Sequence, residues 1–518
     1  MEKNVNIENI PAEKFQFAQL DAKIHDKKFE TKPIGYMQDA WLRFKKNKAS
    51  LVATAIIIAI VLFAFLAPLF SKYKISDADA IYGKARPKCN LFVGTGFWDG
   101  GLDKKLNDRF MAQYVGIAIA AEDHDGYTRV SWEEALASEY SPFISIEDTF
   151  EEGGVTYRWA RMDSYDIVGF RYLQVTMDEY NNIKAWEKEN NMQIIYPMVD
   201  VFSEYCDSYN QQDANFWYCH DAKNNPVDKE GKRLSMQKIM QSGLVDNYLR
   251  DENGNVVDYM KKDKNMVQVR VLYSHYYQYV NGHEPGHIFG ADQQGYDIMV
   301  RMAHGTQLSL LLSIVVASLN LFIGAIYGSF EGYYGGILDL LLERLSDILN
   351  GVPFVIVATL FQLHLINTGK VSPFVGIMFA FVITGWIGIA YRVRTQFYRY
   401  KNQEYILAAR TLGASDGRLM FKHIFPNTLG TLITSVSLII PSTIMSESVL
   451  SYLGISSFNT KNMISLGTLL SNGKGALSTD PHILLIPSAI ISLMMISFNL
   501  FSNGLRDAFN PSLRGADE

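Results

Sequence analysis

Cysteine is scarce in this chain, with three residues in 518, too few for a disulfide framework to define the fold. If the polar region that holds them faces an oxidising exterior, Cys206 and Cys219 form one bridge and leave Cys89 free; three free thiols fit equally well. Excess charge is missing too. A formal net charge of −6 is small for this length and gives no reason to expect a nucleic-acid partner. The first ~40 residues lack the apolar core of a signal peptide. No phosphate-binding loop is present either: Gly467–Gly475 has one residue too many between its glycines and no Ser or Thr after Lys474 to hold Mg²⁺. It reads as a turn.

Two further strings carry the letters of a catalytic motif without its mechanics. His283-Glu284-Pro285-Gly286-His287 spells a zinc-protease signature, but that chemistry needs both histidines on one face of an unbroken helix. Pro285 and Gly286 disfavour such a helix, so the string reads as linker, and no metal site is expected. Gly94–Gly100 has half the glycines of a dinucleotide loop and no crossover unit around it, and reads as a plain turn. No cofactor is expected.

What the chain does have is long apolar runs, hidden by a mean hydropathy near zero. Arg43, Lys45, Lys46 and Lys48 lead into Ala49–Ser71, 23 residues with no charge. About 20 helical residues cross ~30 Å of hydrocarbon, so this is a spanning helix, and the basic cluster places residues 1–48 in the cytoplasm. Five more spans are expected near 308–329, 347–366, 374–391, 428–449 and 483–502. With six spans, the basic segment Arg392–Lys422 and the tail 504–518 both fall on the cytoplasmic side, as the positive-inside rule requires, and residues 72–286 fall outside.

Residues 72–286 read as an inserted α+β domain. Val267–Tyr273 alternates like a strand, Ile183–Lys188 reads as helix, and Asn224-Asn225-Pro226 and Glu252–Asn255 read as turns. Met111–Ala121 is apolar but too short to span, which suits a buried core element. The aromatic-dense Asn215–Tyr218 and Tyr273–Tyr279 fit a domain core or a membrane-surface belt. In the apolar half, Gly324, Gly328 and Gly332 recur every fourth residue and offer a bare helix face to a neighbour.

The most informative stretch is Glu404–Asn427. Helix formers run from Glu404 to Leu412, Gly413 ends them, Ser415 or Asp416 can cap a second short helix, and Pro426 marks entry to the next span. This stretch resembles the "EAA" loop of ABC-importer permeases, in which EAA is followed after three residues by glycine and thirteen further on by proline. Ala408, Ala409, Gly413 and Pro426 hold those spacings, Leu407 takes the Glu position, and Glu404 lies one turn earlier. Other segments resemble the C-type permease of oligopeptide/dipeptide importers: Asp39–Lys48, His287–Arg301, Ser448–Gly454 and Asn503–Pro511, in family order. The insert has no counterpart in shorter family members.

The resemblance implies a six-span type I ABC-importer permease, an α-helical membrane protein of the bacterial plasma membrane, with a permease core over 287–503 and a coupling loop at 392–426. It implies an ATPase contact built from Glu404, Leu407, Ala408, Ala409, Gly413, Ala414, Ser415, Asp416, Arg418 and Pro426. The expected partners are a second, B-type permease, two ATP-binding cassette subunits, an extracellular peptide-binding lipoprotein or receptor, and a peptide substrate. No bond chemistry, and so no catalytic residue, is expected in this chain. Import of nickel or another small solute shares the same motifs. A surface enzyme or adhesin anchored by a helix bundle is the reading from a different class, and it leaves five further spans unexplained.

Overall fold

The computed structural model describes residues 35–92, 94–205, 213–456, 458 and 463–509. Cys206, and with it the bridge to Cys219 that was one of the two readings, lies outside the described residues, among which Cys89 and Cys219 form no disulfide.

A short amphipathic helix, α1 (Tyr36–Lys46), leads to α2 (Lys48–Phe70), with the Asn47 side chain accepting from the Ser50 amide to cap the second helix. Helix α2 is apolar all round and leaves Leu62, Phe65, Leu66 and Leu69 uncovered, as expected of a helix whose solvent is lipid.

The insert follows. Its first sheet joins β1 (Gly101–Asn107), β2 (Phe143–Glu152) and β3 (Val155–Asp163) in the antiparallel order β1-β3-β2. Its second joins β4 (Phe170–Thr176), β5 (Ile195–Tyr196), β6 (Tyr259–Lys261) and β7 (Met266–Leu272), with β7 central and every pairing antiparallel. Helices α3 (Asp108–Glu122), α4 (Trp132–Ala137), α5 (Met177–Asn190), α6 (Met236–Ser242) and α7 (Tyr273–Asn281) pack around them. The short apolar run is the buried helix α3, whose Gly116 carbonyl accepts from the indole of the fully buried Trp217 at 2.8 Å. The aromatic segment Asn215–Tyr218 is therefore core, not a surface belt.

Both ends of the insert meet at one neck. Residues 78–88 run beside 287–297, with Lys84 N–Asp292 O at 2.9 Å, Ala291 N–Ala85 O at 2.9 Å and Lys88 N–His287 O at 2.9 Å. The buried pairs His287–Asp297 and Arg301–Asp292, each at 2.9 Å, close the neck onto the start of the next helix. Adjacent ends let a large domain be inserted without disturbing the bundle. His283–His287 runs as non-helical chain, so the two histidines share no helix face.

Beyond the neck, α8 (Ile298–Tyr334) runs for 37 residues, well beyond the expected 308–329 at both ends. Its early turns mix Arg301, His304, Thr306 and Gln307 with apolar residues, and Gly305 packs closely on Ser465 and Leu466, so hydropathy alone misses them. Next, α9 (Gly336–Asn350) and α10 (Phe354–Phe361), the latter running into a π turn at Gln362–Ile366, are bent by 71° at the Gly351–Pro353 break. The span expected at 347–366 thus straddles a bend, because Pro353 has no amide to continue the first helix. Helices α11 (Pro373–Gly385) and α12 (Ile387–Tyr400) form a nearly continuous 28-residue helical run, apolar up to Ala390 and basic beyond it.

Helix α13 (Glu404–Thr411) is separate, whereas α14 (Asp416–Arg418), a π turn (Leu419–Ile424) and α15 (Phe425–Tyr452) make one 37-residue rod. The short helix expected before Pro426 therefore does not end there. Pro426 falls at the start of α15, where the widened π turn accommodates its missing amide. Residues 466–473, expected as a turn, form α16 (Leu466–Gly473), and α17 (His482–Phe509) completes the bundle. Ser465 caps α16, and its glycines give close approach rather than a turn: a Cβ on Gly467 would lie 2.5 Å from Ser448 Cα. Among the described residues, five helices are long and apolar enough to cross a membrane, and a sixth crossing is reached if the bent α9–α10 pair counts as one.

The four-residue glycine series does what its spacing implies. Gly324, Gly328 and Gly332 of α8 face α12 so closely that a Cβ would lie 2.7 Å from Trp386 O, 2.2 Å from Ala390 O and 2.6 Å from Phe397 Cβ.

Candidate functional site: an exposed helical elbow

Between α12 and α15 the chain makes a hairpin of two helices. Ile406 is its anchor: fully buried, it joins a cluster of Tyr333, Val393, Phe397, Leu419, Met420 and Ile424. Ala409 and Ala414 lean on the same cluster, half-buried. The opposite side of α13 is bare, with Glu404, Leu407 and Ala408 exposed and Leu412 at 89 % exposure.

The turn is shaped by Gly413, whose φ of +84° falls in the left-handed region, where a Cβ would be strained. The amide of Ala414 then reaches back to the Ala409 carbonyl at 3.1 Å, satisfying an orphan acceptor at the helix end. Ser415 occupies the N-cap position of α14 but makes no side-chain cap; its carbonyl accepts from Leu419 N at 2.9 Å. Asp416 does not cap either. Its carboxylate accepts from the Tyr333 hydroxyl at 2.5 Å, and Arg410 donates to that same hydroxyl oxygen at 3.4 Å. Asn427, after Pro426, bonds the His423 carbonyl at 2.8 Å and the Tyr405 hydroxyl at 3.3 Å, joining the two arms. Arg418 and Pro426 are exposed on the second arm.

All ten residues expected in the coupling contact are thus on one elbow. Among the described residues no cluster of His, Cys, Asp or Glu is placed to hold a metal; what the elbow offers is a firmly seated turn with uncovered apolar and small side chains. Such a surface suits protein docking.

Two features beside it escaped the sequence reading. Arg394 of α12 forks onto Asp339 of α9 at 2.7 and 2.9 Å and onto Glu343 at 2.8 and 3.2 Å, while Tyr398 donates to Asp339 and Lys401 to Gly332 O at 2.9 Å. The i, i+4 spacing of Asp339/Glu343 and of Arg394/Tyr398 is a signal that could have paired these helices. Deep in the bundle, Glu447 of α15 is 1 % exposed and accepts from Ser451 Oγ at 2.8 Å and Ser465 Oγ at 2.6 Å. An acid among Ser446, Ser448 and Ser451 in an apolar helix is itself a flag.

Comparisons with known proteins agree with this architecture. Residues 321–515 match the model of the binding-protein-dependent transport system inner membrane component, and residues 35–87 that of the N-terminal TM domain of oligopeptide transport permease C. The oligopeptide transport system permease protein OppC of Bacillus subtilis is 41 % identical over 228 residues, which cover 44 % of this chain and 72 % of that protein. The dipeptide transport system permease protein DppC of the same organism is 36 % identical over 230 residues, 44 % of this chain and 69 % of its own. OppC of Escherichia coli is 36 % identical over 231 residues, 45 % of this chain and 74 % of its own. With the resemblance noted in the motifs, the bundle and these relatives in accord, the chain belongs to the binding-protein-dependent permease family, as a helical membrane subunit of an ABC importer of the OppC/DppC kind.

Proposed function

We propose that this subunit forms half of the passage of an ATP-driven oligopeptide importer and that the elbow 404–426 receives the ATPase. The observation that carries the reading is the contrast on α13: one face is locked into the bundle through Ile406, and the other presents Leu407, Ala408 and Leu412 uncovered. A second, B-type permease completes the passage, and two ATP-binding cassette subunits bind beneath the elbows. Glu404, Leu407, Ala408, Ala409, Gly413, Ala414, Ser415, Asp416, Arg418 and Pro426 make or shape that contact. The peptide comes from a binding lipoprotein.

In this reading the bent α9–α10 pair is one crossing, giving six. Both termini and the elbow then lie in the cytoplasm of the bacterial cell, and residues 72–286 lie outside. The basic residues of 392–422 support that orientation. The relatives named for oligopeptide and dipeptide transport support the substrate class.

The test is uptake of labelled peptide by the reconstituted complex of two permeases and two ATPases, supplied with its binding lipoprotein and carrying Gly413→Val or Ala409→Trp. Transport should fall while ATP hydrolysis and membrane insertion persist. Unchanged uptake in both variants would remove the elbow from the coupling path, and Ni²⁺ uptake in place of peptide uptake would overturn the substrate. Labelling of Leu412→Cys from the outer medium by a membrane-impermeant thiol reagent would overturn the orientation.

A further inference from the structure

The insert is rich in charge, yet Cys89–Trp98 has none over ten residues, and it holds Leu91, Phe92, Phe97 and Trp98. A polar brace holds the base of this loop. Arg161 bonds Asp99 at 2.7 and 3.0 Å and the Gly96 carbonyl at 3.1 Å, and Asp99 accepts from the Gly96 and Gly101 amides at 3.1 and 2.9 Å. Cys89 N–Trp98 O at 2.8 Å closes the loop. The charged groups are drawn inward and the apolar ones turned out: Leu91 is 86 % exposed and Phe97 60 %. A cluster of exposed apolar side chains of this kind marks an interaction surface.

The loop's apolar side continues onto the membrane bundle. Ring centroids step from Phe92 to Phe97 at 6.2 Å, Phe97 to Trp98 at 4.6 Å, Trp98 to Phe289 at 5.9 Å and Phe289 to Phe63 at 6.3 Å. Phe63 belongs to α2 and lies seven residues before its end at Phe70, about 10 Å along the axis. Exposed Leu69 and Phe70 crown that helix. The loop therefore sits level with the last turns of a helix whose flanks are bare apolar side chains. The Trp98 indole donates to the Ile288 carbonyl, so its polar edge is satisfied while its ring stays in the apolar row. This is the make-up of an interfacial aromatic anchor.

Resting on the reading that α2 crosses the bilayer, we propose that Leu91, Phe92, Phe97 and Trp98 form a lipid-binding anchor: these four side chains enter the boundary of that bilayer and tie the insert to the membrane surface. The partner is phospholipid at the headgroup–acyl boundary. The anchor supplements the covalent neck and restricts how far the insert can tilt.

The full-length chain, with Cys89, Cys206 and Cys219 replaced by serine, is reconstituted in phosphatidylcholine vesicles with an environment-sensitive fluorophore on Phe97→Cys. The control is Glu152→Cys at the far tip of the β2–β3 hairpin, about 26 Å of strand away from Asp163. At position 97 emission should shift to the blue, doxyl groups high on the acyl chain should quench it strongly, and aqueous iodide should lose most of its effect relative to position 152. Thr95→Cys repeats the measurement without removing an anchor side chain, and adding L91D and F97D to it should lower lipid quenching to the control value. Equal iodide access at 97, 95 and 152 would overturn the proposal. So would shielding from both quenchers, which would mean that protein, not lipid, covers the loop.

Discussion

The Tyr333 hydroxyl donates to the Asp416 carboxylate at 2.5 Å, tying the last turn of α8 to the first residue of the rod that continues into α15. The elbow is thereby fastened to the helix that, through its glycine face, also holds α12. One bond connects the exposed hinge to the two longest apolar helices.

Removing that bond should loosen the elbow without unfolding the bundle. A hydrogen bond to an ionised group is worth about 1.5 kcal/mol at the low end, fitting for an exposed carboxylate. Tyr333→Phe and Asp416→Ala should therefore each lower peptide taken up per ATP hydrolysed several-fold, with subunit assembly retained. A parallel fall in hydrolysis and uptake would instead indicate lost docking.

Gly328→Ala should destabilise the bundle, since its methyl would lie 2.2 Å from the Ala390 carbonyl oxygen. Overpacking of this kind costs about 1–3 kcal/mol. Gly388→Ala on α12 is the control, because nothing lies within 4 Å of its Cβ direction. Melting in detergent should separate the two variants.

Arg394→Ala leaves Asp339 and Glu343 facing each other without their cation. Breaking a largely buried pair costs about 3 kcal/mol, and Arg394→Lys should restore only part of it because an ammonium cannot fork. Adding Asp339→Asn and Glu343→Gln to Arg394→Ala should recover stability, read again by melting.

Asp166, beside Asp163 in the insert, has its carboxyl pushed up to about 7 by burial and then by that neighbouring charge. The native state thus holds a proton that the unfolded chain releases near pH 4, so stability falls as pH rises from about 4 to 7 and the loss is complete above that. Asp166→Asn should melt above the parent protein at pH 8, by about 2–4 °C for each kcal/mol regained, and match it near pH 4. Equal midpoints at both pH values would show that the charge is not strained.

Features carried by a local run of residues were legible in advance. The 23-residue apolar helix α2, the alternating strand β7, the buried α3 and the bare glycine face of α8 all follow from short windows. The elbow was legible because Gly413 ends a run of helix formers, and because Ala408, Ala409, Gly413 and Pro426 keep the spacing of the permease loop this stretch resembles. What escaped depends on direction or distance. Hydropathy sums over 347–366 without sensing a 71° bend, and α16 resembled a turn because glycines bound it, although they serve close packing. Tyr333 and Asp416 are 83 residues apart, and Arg394 reaches Asp339 across 55, so no window contains either pair.

The absence of a joint between the elbow and α15 has a mechanical corollary. Asp416–Tyr452 is one continuous helical run about 55 Å long, which passes through the π turn and Pro441 without a break. In the reading proposed above, a displacement of its first turn is carried along this one helical run toward the other end, where Ser448 and Ser451 press against α16.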